Sequence, residues 1–67
     1  MIYNVVLFSK TMNTVMYKIK SLDGRPLRFT DYKYAEREVH ERNERFGNLM
    51  YDEGLVFMAV EETDVNN

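Results

Sequence analysis

The sequence predicts an α+β fold, in which one α-helix packs on one face of a three- to four-stranded antiparallel sheet. The chain has 67 residues, enough for a single domain. Segments of strand length, either apolar or alternating, lie near both ends. Between them, residues 31–46 form a segment of helical length without glycine or proline. The predicted order is β-β-(short β)-α-β, with residues 1–62 as the domain and residues 63–67 as a frayed tail.

The first two strands are predicted to form an antiparallel pair. Residues 2–8 (IYNVVLF) are largely apolar on both faces, which is typical of a central strand. Residues 14–22 alternate between apolar and polar side chains. Val15, Tyr17 and Ile19 are therefore expected to share one face of a half-buried strand.

A turn and an edge are predicted after the second strand. Asp23-Gly24 is the strongest turn signal in the chain, because glycine readily takes the positive φ that a primed hairpin turn requires. Pro26 has no backbone N–H to donate to a ladder. Residues 25–29 are therefore predicted to form a short edge strand or an extended arm.

The helix is predicted from its start and stop signals. Thr30 is the expected N-cap, and Asp31 places a negative charge in the first turn. Gly47 occupies the position of the left-handed glycine that commonly ends a helix. The apolar stripe is narrow and consists of Tyr32, Ala35, Val39 and Phe46, with Asn43 intruding. Residues 48–54 are predicted to be a loop, and residues 55–60 (LVFMAV) a second central strand beside the first.

The composition excludes several kinds of site. The chain has no cysteine, which excludes disulfides and thiolate zinc sites. His40 is the only histidine, and neither serine lies in the strand-turn-helix elbow of a serine hydrolase. Three isolated glycines cannot build a phosphate-binding loop. We therefore expect no enzymatic activity, no catalytic residues and no cofactor.

Three residues of types that can ligate a metal lie on one face of the predicted helix. Glu36, His40 and Glu44 follow one another at intervals of four. A metal would need a further ligand and partners that orient the imidazole, so a solvated face without metal is the favoured interpretation. No apolar run reaches the roughly 18 residues of a membrane span, and the N-terminus lacks the features of a secretory signal. We expect a cytoplasmic protein with no membrane partner.

Charge is distributed unevenly along the chain. Residues 1–30 hold five cations and one acid, whereas residues 31–67 hold four cations and ten acids. The basic residues of the first half are Lys10, Lys18, Lys20, Arg25 and Arg28. With Tyr17 nearby, such a basic patch is typical of proteins that bind single-stranded nucleic acid. Lysines on a hairpin also guard a sheet edge against aggregation, and this interpretation is favoured.

The apolar surface is larger than one helix covers. Five Met and five Tyr are many for a chain of 67 residues, and both types suit protein contacts. One helix shields one face of a sheet, so an open apolar patch is expected on the other face, although the sequence does not say which face that is. The predicted members of the patch are Tyr3, Val5, Leu7, Met16, Val56 and Met58. The expected partner is a protein, and a homodimer through the same patch is the second form considered.

No stretch of the chain carries a motif specific enough to name a family. In kind, the chain is similar to the small proteins that bacteriophages make to bind and inhibit a host protein: short, free of cysteine, rich in Tyr and Met, and without a catalytic set. The resemblance implies a viral inhibitor that occludes a surface of a larger protein in the host cytoplasm. The alternative is a small nucleic-acid-binding protein that uses the basic residues of the hairpin. Mimicry of nucleic acid by the acidic second half is weaker, because cations interrupt its acids.

Overall fold

The computed structural model describes residues 1–62 and confirms the predicted α+β architecture of a four-stranded antiparallel sheet with one α-helix. The elements are β1 (Tyr3–Ser9), β2 (Thr14–Lys18), β3 (Arg28–Phe29), α1 (Tyr32–Met50), a 3-10 turn (Tyr51–Glu53) and β4 (Leu55–Glu61). Their order matches the predicted order, including the short third strand. The predicted frayed tail, residues 63–67, lies outside the described residues.

β1 is the centre of the sheet. All seven of its residues pair with β4 on one edge. On its other edge, residues 6–9 pair with β2 and residues 3–4 pair with β3. Because a strand has only two edges, β2 and β3 share one of them and lie end to end. The sheet is therefore three strands wide. Residues 19–27, here called the excursion, leave this shared edge after β2 and return to it at β3.

The two faces of the sheet are distinguished by which side chains the helix touches. The ring of Tyr3 packs edge-on against Tyr32 of α1, with centroids 5.3 Å apart, and Phe57 of β4 lies 6.3 Å from Phe46. Side chains alternate along a strand, and paired residues share a face. The helix face thus carries Tyr3, Val5, Leu7, Phe57 and Ala59, and the opposite face, here called the rear face, carries Asn4, Val6, Phe8, Val56, Met58 and Val60.

The helix is fastened to the outer edge of β4. The side-chain oxygen of Asn43 accepts a hydrogen bond from the N–H of Phe57 (3.0 Å), and its amide donates to the C=O of Phe57 (3.1 Å). Both backbone groups therefore point away from β1, and Asn43 supplies the bonds that a further strand would supply. Nearer the start of the helix, Ala35 is fully buried. This geometry explains the polar residue within the apolar stripe.

The helix begins one residue later than predicted. Asp31, not Thr30, is the N-cap: its carboxylate accepts from the N–H of Lys33 (2.9 Å), and its C=O accepts from the N–H of Ala35 (3.3 Å). Both residue types cap helices well. The carboxylate adds a charge that complements the positive end of the helix dipole, so the prediction of Thr30 was wrong by one position.

The helix also ends later than predicted. Gly47 lies inside α1, and residues 48–50, predicted to be part of a loop, are helical. The left-handed glycine is Gly54, with φ of 72° immediately before β4. The positive φ favours glycine there, and a Cβ added at Gly54 would lie 2.6 Å from the hydroxyl oxygen of Thr11, whose side chain would have to rotate away.

The turn between β2 and β3 differs in type from the prediction. Gly24 has the expected positive φ of 86°, but Asp23 does not share it. The N–H of Gly24 donates to the C=O of Ser21 (3.0 Å), and the N–H of Ser21 donates to the C=O of Arg25 (2.8 Å). These bonds enclose a three-residue loop with a glycine bulge instead of a two-residue primed turn. The predicted edge is present as β3, which has only two residues.

A bulge interrupts the alternation of β2. Tyr17 pairs with Leu7 and Val15 pairs with Phe8, which leaves Met16 as the extra residue. Leu7 lies on the helix face and Phe8 on the rear face, so Tyr17 and Val15 lie on different faces. The prediction that they share a face was wrong. An extra residue in one strand of a pair shifts every later side chain to the other face.

We predict that Asn43→Ala lowers the free energy of unfolding by about 1–3 kcal/mol, because the substitution leaves two backbone groups of Phe57 without partners. Urea denaturation followed by circular dichroism measures the change. The matched control is Glu41→Ala, an exposed position on the same helix, which should change stability by less than about 0.5 kcal/mol. Equal effects of the two substitutions would contradict the fastening role of Asn43.

The two glycines near the end of α1 should respond oppositely to alanine. Gly54→Ala is expected to cost about 1–2 kcal/mol, because φ is positive and Thr11 must move. Gly47→Ala should stabilise the protein by up to about 1 kcal/mol, because the glycine is helical and nothing lies within 4 Å of the added Cβ. Thermal melting of both variants checks the signs, and destabilisation by Gly47→Ala would argue that the helix ends earlier.

Candidate protein-binding surface

The six residues predicted to form an open apolar patch do not form one surface. Val5 is fully buried and lies on the helix face, as do Tyr3 and Leu7. Val56 and Met58 lie on the rear face, because Met58 pairs with Val6 and not with Val5. The prediction combined both faces of the sheet, and this grouping was wrong. Alternation along the strand separates side chains that are close in sequence.

The rear face is only partly open. Its central residue, Val6, is 1% exposed, and Val56 and Val60 of β4 are half-buried. Met58 is the most exposed apolar side chain on the β4 part of this face, at 37%. The rear face of β4 and β1 therefore offers a few apolar atoms to a partner, but no broad bare layer.

A polar cluster closes one end of the rear face. Arg28 forms a bidentate ion pair with Glu62, with Nε–Oε1 and Nη2–Oε2 distances of 3.1 Å each. Arg28 of β3 pairs with Asn4, and the N–H of Glu62 donates to the C=O of Ile2. Arg28 and Glu62 thus approach β1 from opposite edges, and their ion pair crosses the rear face over Asn4. Asn4 is 1% exposed, and its amide donates to the C=O of Leu27 (3.4 Å). The hydrogen bond from Asn4, followed by that from Arg28, holds the pKa of Glu62 below its usual value of 4.5.

β2 is the most open part of the described sheet. Val15, Met16 and Tyr17 are 49%, 50% and 52% exposed, and all five residues of the strand are exposed. The helix lies against β4 on the far side of β1, so it does not shield β2. Within residues 1–62, β1 is the only strand that pairs with β2. The outer edge of β2 is thus an open strand edge bordered by large apolar side chains.

The pairing register shows which backbone groups of β2 face this open edge. Phe57 directs its N–H and C=O outward to Asn43, so its partner Leu7 directs its own groups toward β2. Val6 and Phe8, one residue to either side, then bond toward β4. Their partners on β2 are Lys18 and Val15, which direct N–H and C=O to the open edge. The bond from the N–H of Ile19 to the C=O of Val5 (2.9 Å) fits the same alternation.

The predicted basic residues are all exposed. Arg25 and Arg28 line one pocket, and Arg28 and Lys18 both contribute to the lowered pKa of Glu62. Arg28 is held by Glu62, and Arg25 lies 3.9 Å from Asp23. Lys10, Lys18 and Lys20 form no ion pair within residues 1–62. Lys10 follows β1 beside the start of β2, whereas Lys18 and Lys20 lie at its other end. Lys18 and Lys20 therefore lie at one end of the open strand, whereas Lys10 also lines a groove with Glu36 of α1.

Val15 is a surface residue that the sequence did not identify, and Tyr17 was considered only as a neighbour of the basic residues. Their spacing in an alternating segment is typical of the buried side of a strand. Their exposure follows from the bulge at Met16 and from the position of the helix beside β4. Neither feature has a local sequence signal here, since no glycine marks the bulge.

The helical face with metal-site character is solvated. The Nε2 of His40 lies 3.5 Å from a carboxylate oxygen of Glu44, and both side chains are about 70% exposed. Among the described residues, no three His, Asp or Glu side chains gather closely enough to hold a metal ion. No helix in residues 1–62 combines the length and the apolar character needed to cross a membrane.

The ion pair at the rear face predicts a pH dependence of stability. Because the pKa of Glu62 is lowered in the folded chain, its carboxylate stabilises the fold fully above the unfolded pKa. This contribution is lost as the pH falls through the lower, folded value. Wild type should therefore be more stable than Glu62→Gln at about pH 7, and the difference should disappear in acid. Urea denaturation across this pH range measures it.

Two further variants separate the causes. Arg28→Gln should reduce but not remove the advantage of wild type over Glu62→Gln, because Asn4 is the larger cause of the lowered pKa of Glu62. Glu41→Gln, which removes an exposed charge without a described ion pair, controls for net charge. A stability difference for Glu62→Gln that is unchanged from neutral to acidic pH would refute the role of the ion pair.

Comparison with protein families, with curated protein sequences and with solved structures gives no significant match to this chain.

Proposed function

We propose that this chain is a non-enzymatic protein-binding module and that β2 is its contact strand. The observation that carries the proposal is the exposure of about half of Val15, Met16 and Tyr17 on a strand that is paired along one edge only. Small proteins bury large apolar side chains where they can, and clustered exposed ones mark contact sites. Tyr and Met suit this role, because both present broad and adaptable surfaces.

The rest of the fold supports this use of β2. β1 is bonded on both edges, and β4 is fastened by Asn43, so β2 rests on a frame that need not rearrange when a partner binds. A specific interface buries about 800 Å² on each partner. Five strand residues supply only part of that area, and the adjoining rear face with Met58 would extend it. A module of this size acts by covering a surface of a larger protein, as an inhibitor of the bacteriophage kind does.

Binding of nucleic acid is the second candidate. The observation that favours it is the half-exposed ring of Tyr17 beside Lys18, with Lys20 close by. Bases stack on aromatic rings, while cations attract the backbone phosphates. Of the arginines that would extend such a surface, Arg28 is paired with Glu62, which favours the protein partner.

Affinity capture from a cell lysate tests the proposal, with the wild-type chain immobilised and bound proteins identified by mass spectrometry. The double variant Val15→Thr/Tyr17→Thr places residues of high strand propensity at both positions and removes the exposed apolar side chains of Val15 and Tyr17. We expect it to lose the proteins that the wild type retains. The matched control is Tyr34→Thr, a 57%-exposed tyrosine on α1, which should retain them.

Retention of the same proteins by all three chains, or of none by the wild type, would refute the proposed contact strand. Circular dichroism establishes that each variant is folded. Capture of nucleic acid that disappears at high salt and in Lys18→Gln/Lys20→Gln would instead support the second candidate.

A further inference from the structure

We propose that the segment bound by β2 is an extended acidic peptide, which joins the sheet as an additional strand beside β2. This inference rests on the proposed function and names the chemistry of the partner. Three features of the edge lead to it: the direction of its backbone groups, the charges that flank it, and the distribution of its side chains between the two faces.

The backbone of β2 is prepared for strand addition. The N–H and C=O groups of Val15 and Lys18 point to the open edge, and no described strand or helix bonds to them. An extended peptide satisfies such groups with its own main chain, which gives affinity without a particular sequence. The other outer edge of the sheet, on β4, differs because Asn43 already occupies the backbone of Phe57. β2 is therefore the more accessible edge.

The charges around β2 select an acidic segment. Lys18 and Lys20 lie at one end of the strand and form no ion pair within 4 Å among residues 1–62, and the charge of Lys18 contributes to the lowered pKa of Glu62. Lys10, at the other end, lines the groove between β4 and α1 together with Glu36. Near the Lys18 end of β2, four cations (Lys18, Lys20, Arg25 and Arg28) stand against two acids, Asp23 and Glu62, which leaves a surplus of two positive charges. This edge is thus locally positive in a chain whose net charge is −2. Complementary charge speeds encounter and excludes partners of the wrong sign.

The same lysines disfavour a second copy of this chain as the occupant. Pairing of β2 with β2 of another copy would bring four lysines, Lys18 and Lys20 of each copy, to one shared edge. Like charges at such close range are destabilising, and lysine on an open edge is a common protection against self-pairing. An acidic strand would instead form favourable charge pairs with the same lysines. The lysines that oppose dimerisation therefore favour binding of a segment from another protein.

The side chains of β2 indicate where apolar and acidic residues of the partner would lie. Val15 and Lys18 pair with Phe8 and Val6 and so share the rear face, whereas Tyr17 pairs with Leu7 and lies on the helix face. A bound strand would place an apolar residue beside Val15 and an acid beside Lys18 on the rear face. On the helix face, an apolar residue beside Tyr17 completes the pattern.

The test uses a fluorescein-labelled peptide of about eight residues, here called the Glu-Val peptide, which spans a strand such as β2. It carries Val at every position of one face and alternating Val and Glu on the other, as the positions of Val15, Tyr17 and Lys18 require. Fluorescence anisotropy measures its binding to the wild-type chain at low and high salt. Two control peptides carry Lys in place of Glu, or Pro at the two central positions, which prevents strand pairing. We expect both controls to bind at least about tenfold more weakly than the Glu-Val peptide.

Variants of the protein locate the site. Lys18→Gln/Lys20→Gln should weaken binding of the Glu-Val peptide by about threefold to tenfold and flatten its salt dependence. Val15→Thr/Tyr17→Thr should weaken it at all salt concentrations. Lys33→Gln, which removes an exposed cation from α1, is the matched control and should bind as the wild type does.

Several outcomes would overturn the inference, and they differ from failure of the proposed function. If Val15→Thr/Tyr17→Thr loses the captured proteins but the Glu-Val peptide does not bind, only the acidic-strand inference falls. Equal binding of the Lys peptide would refute the charge selection. A dimer in sedimentation velocity that Val15→Thr/Tyr17→Thr dissolves would identify a second copy as the occupant, and preferential binding of oligonucleotides would identify a nucleic acid. If capture fails as well, the proposed function itself is refuted.

Discussion

The pairing of β1 along both of its edges is the constraint on which the remaining structure depends. Seven consecutive pairs with β4 fix that strand, and the opposite edge is divided between β2 and β3. This leaves two outer edges for a chain that has one helix to cover them. The helix covers β4, because Asn43 bonds the backbone of Phe57 and apolar residues of α1 pack beside it. The openness of β2 is a direct result.

Much of the fold follows from local patterns in the sequence. The apolar run that becomes β4, the alternation before Asp23, and Pro26 at an edge are each recognisable from a few neighbouring residues. The end of the helix cannot be recognised in this way, because by residue type either Gly47 or Gly54 could end it. Gly54 takes the left-handed conformation, and its C=O accepts the N–H of Lys10 (2.8 Å) immediately before β4. That contact spans most of the chain and leaves no local signal.

The candidate site was harder to predict than the fold for the same reason. Assigning Val5 to the buried face and Met58 to the rear face requires the position of the helix, which the alternation of β1 alone does not give. The bulge at Met16 then changes the faces of Val15 and Tyr17 relative to a regular strand. The lysines were identifiable as exposed from their type alone, but their distribution around β2 depends on pairing between distant segments.

The excursion between β2 and β3 leaves and rejoins the same edge of the sheet. Its neck is closed by the bond from the N–H of Leu27 to the C=O of Ile19 (3.0 Å) and by the bridge between Lys20 and Pro26. The tip, residues 21–25, is organised by its own hydrogen bonds around Asp23. Such a tip tolerates changes of length or wholesale replacement, since no pairing of β1 passes through it. It is the natural position at which to graft a reporter or a foreign epitope onto this scaffold.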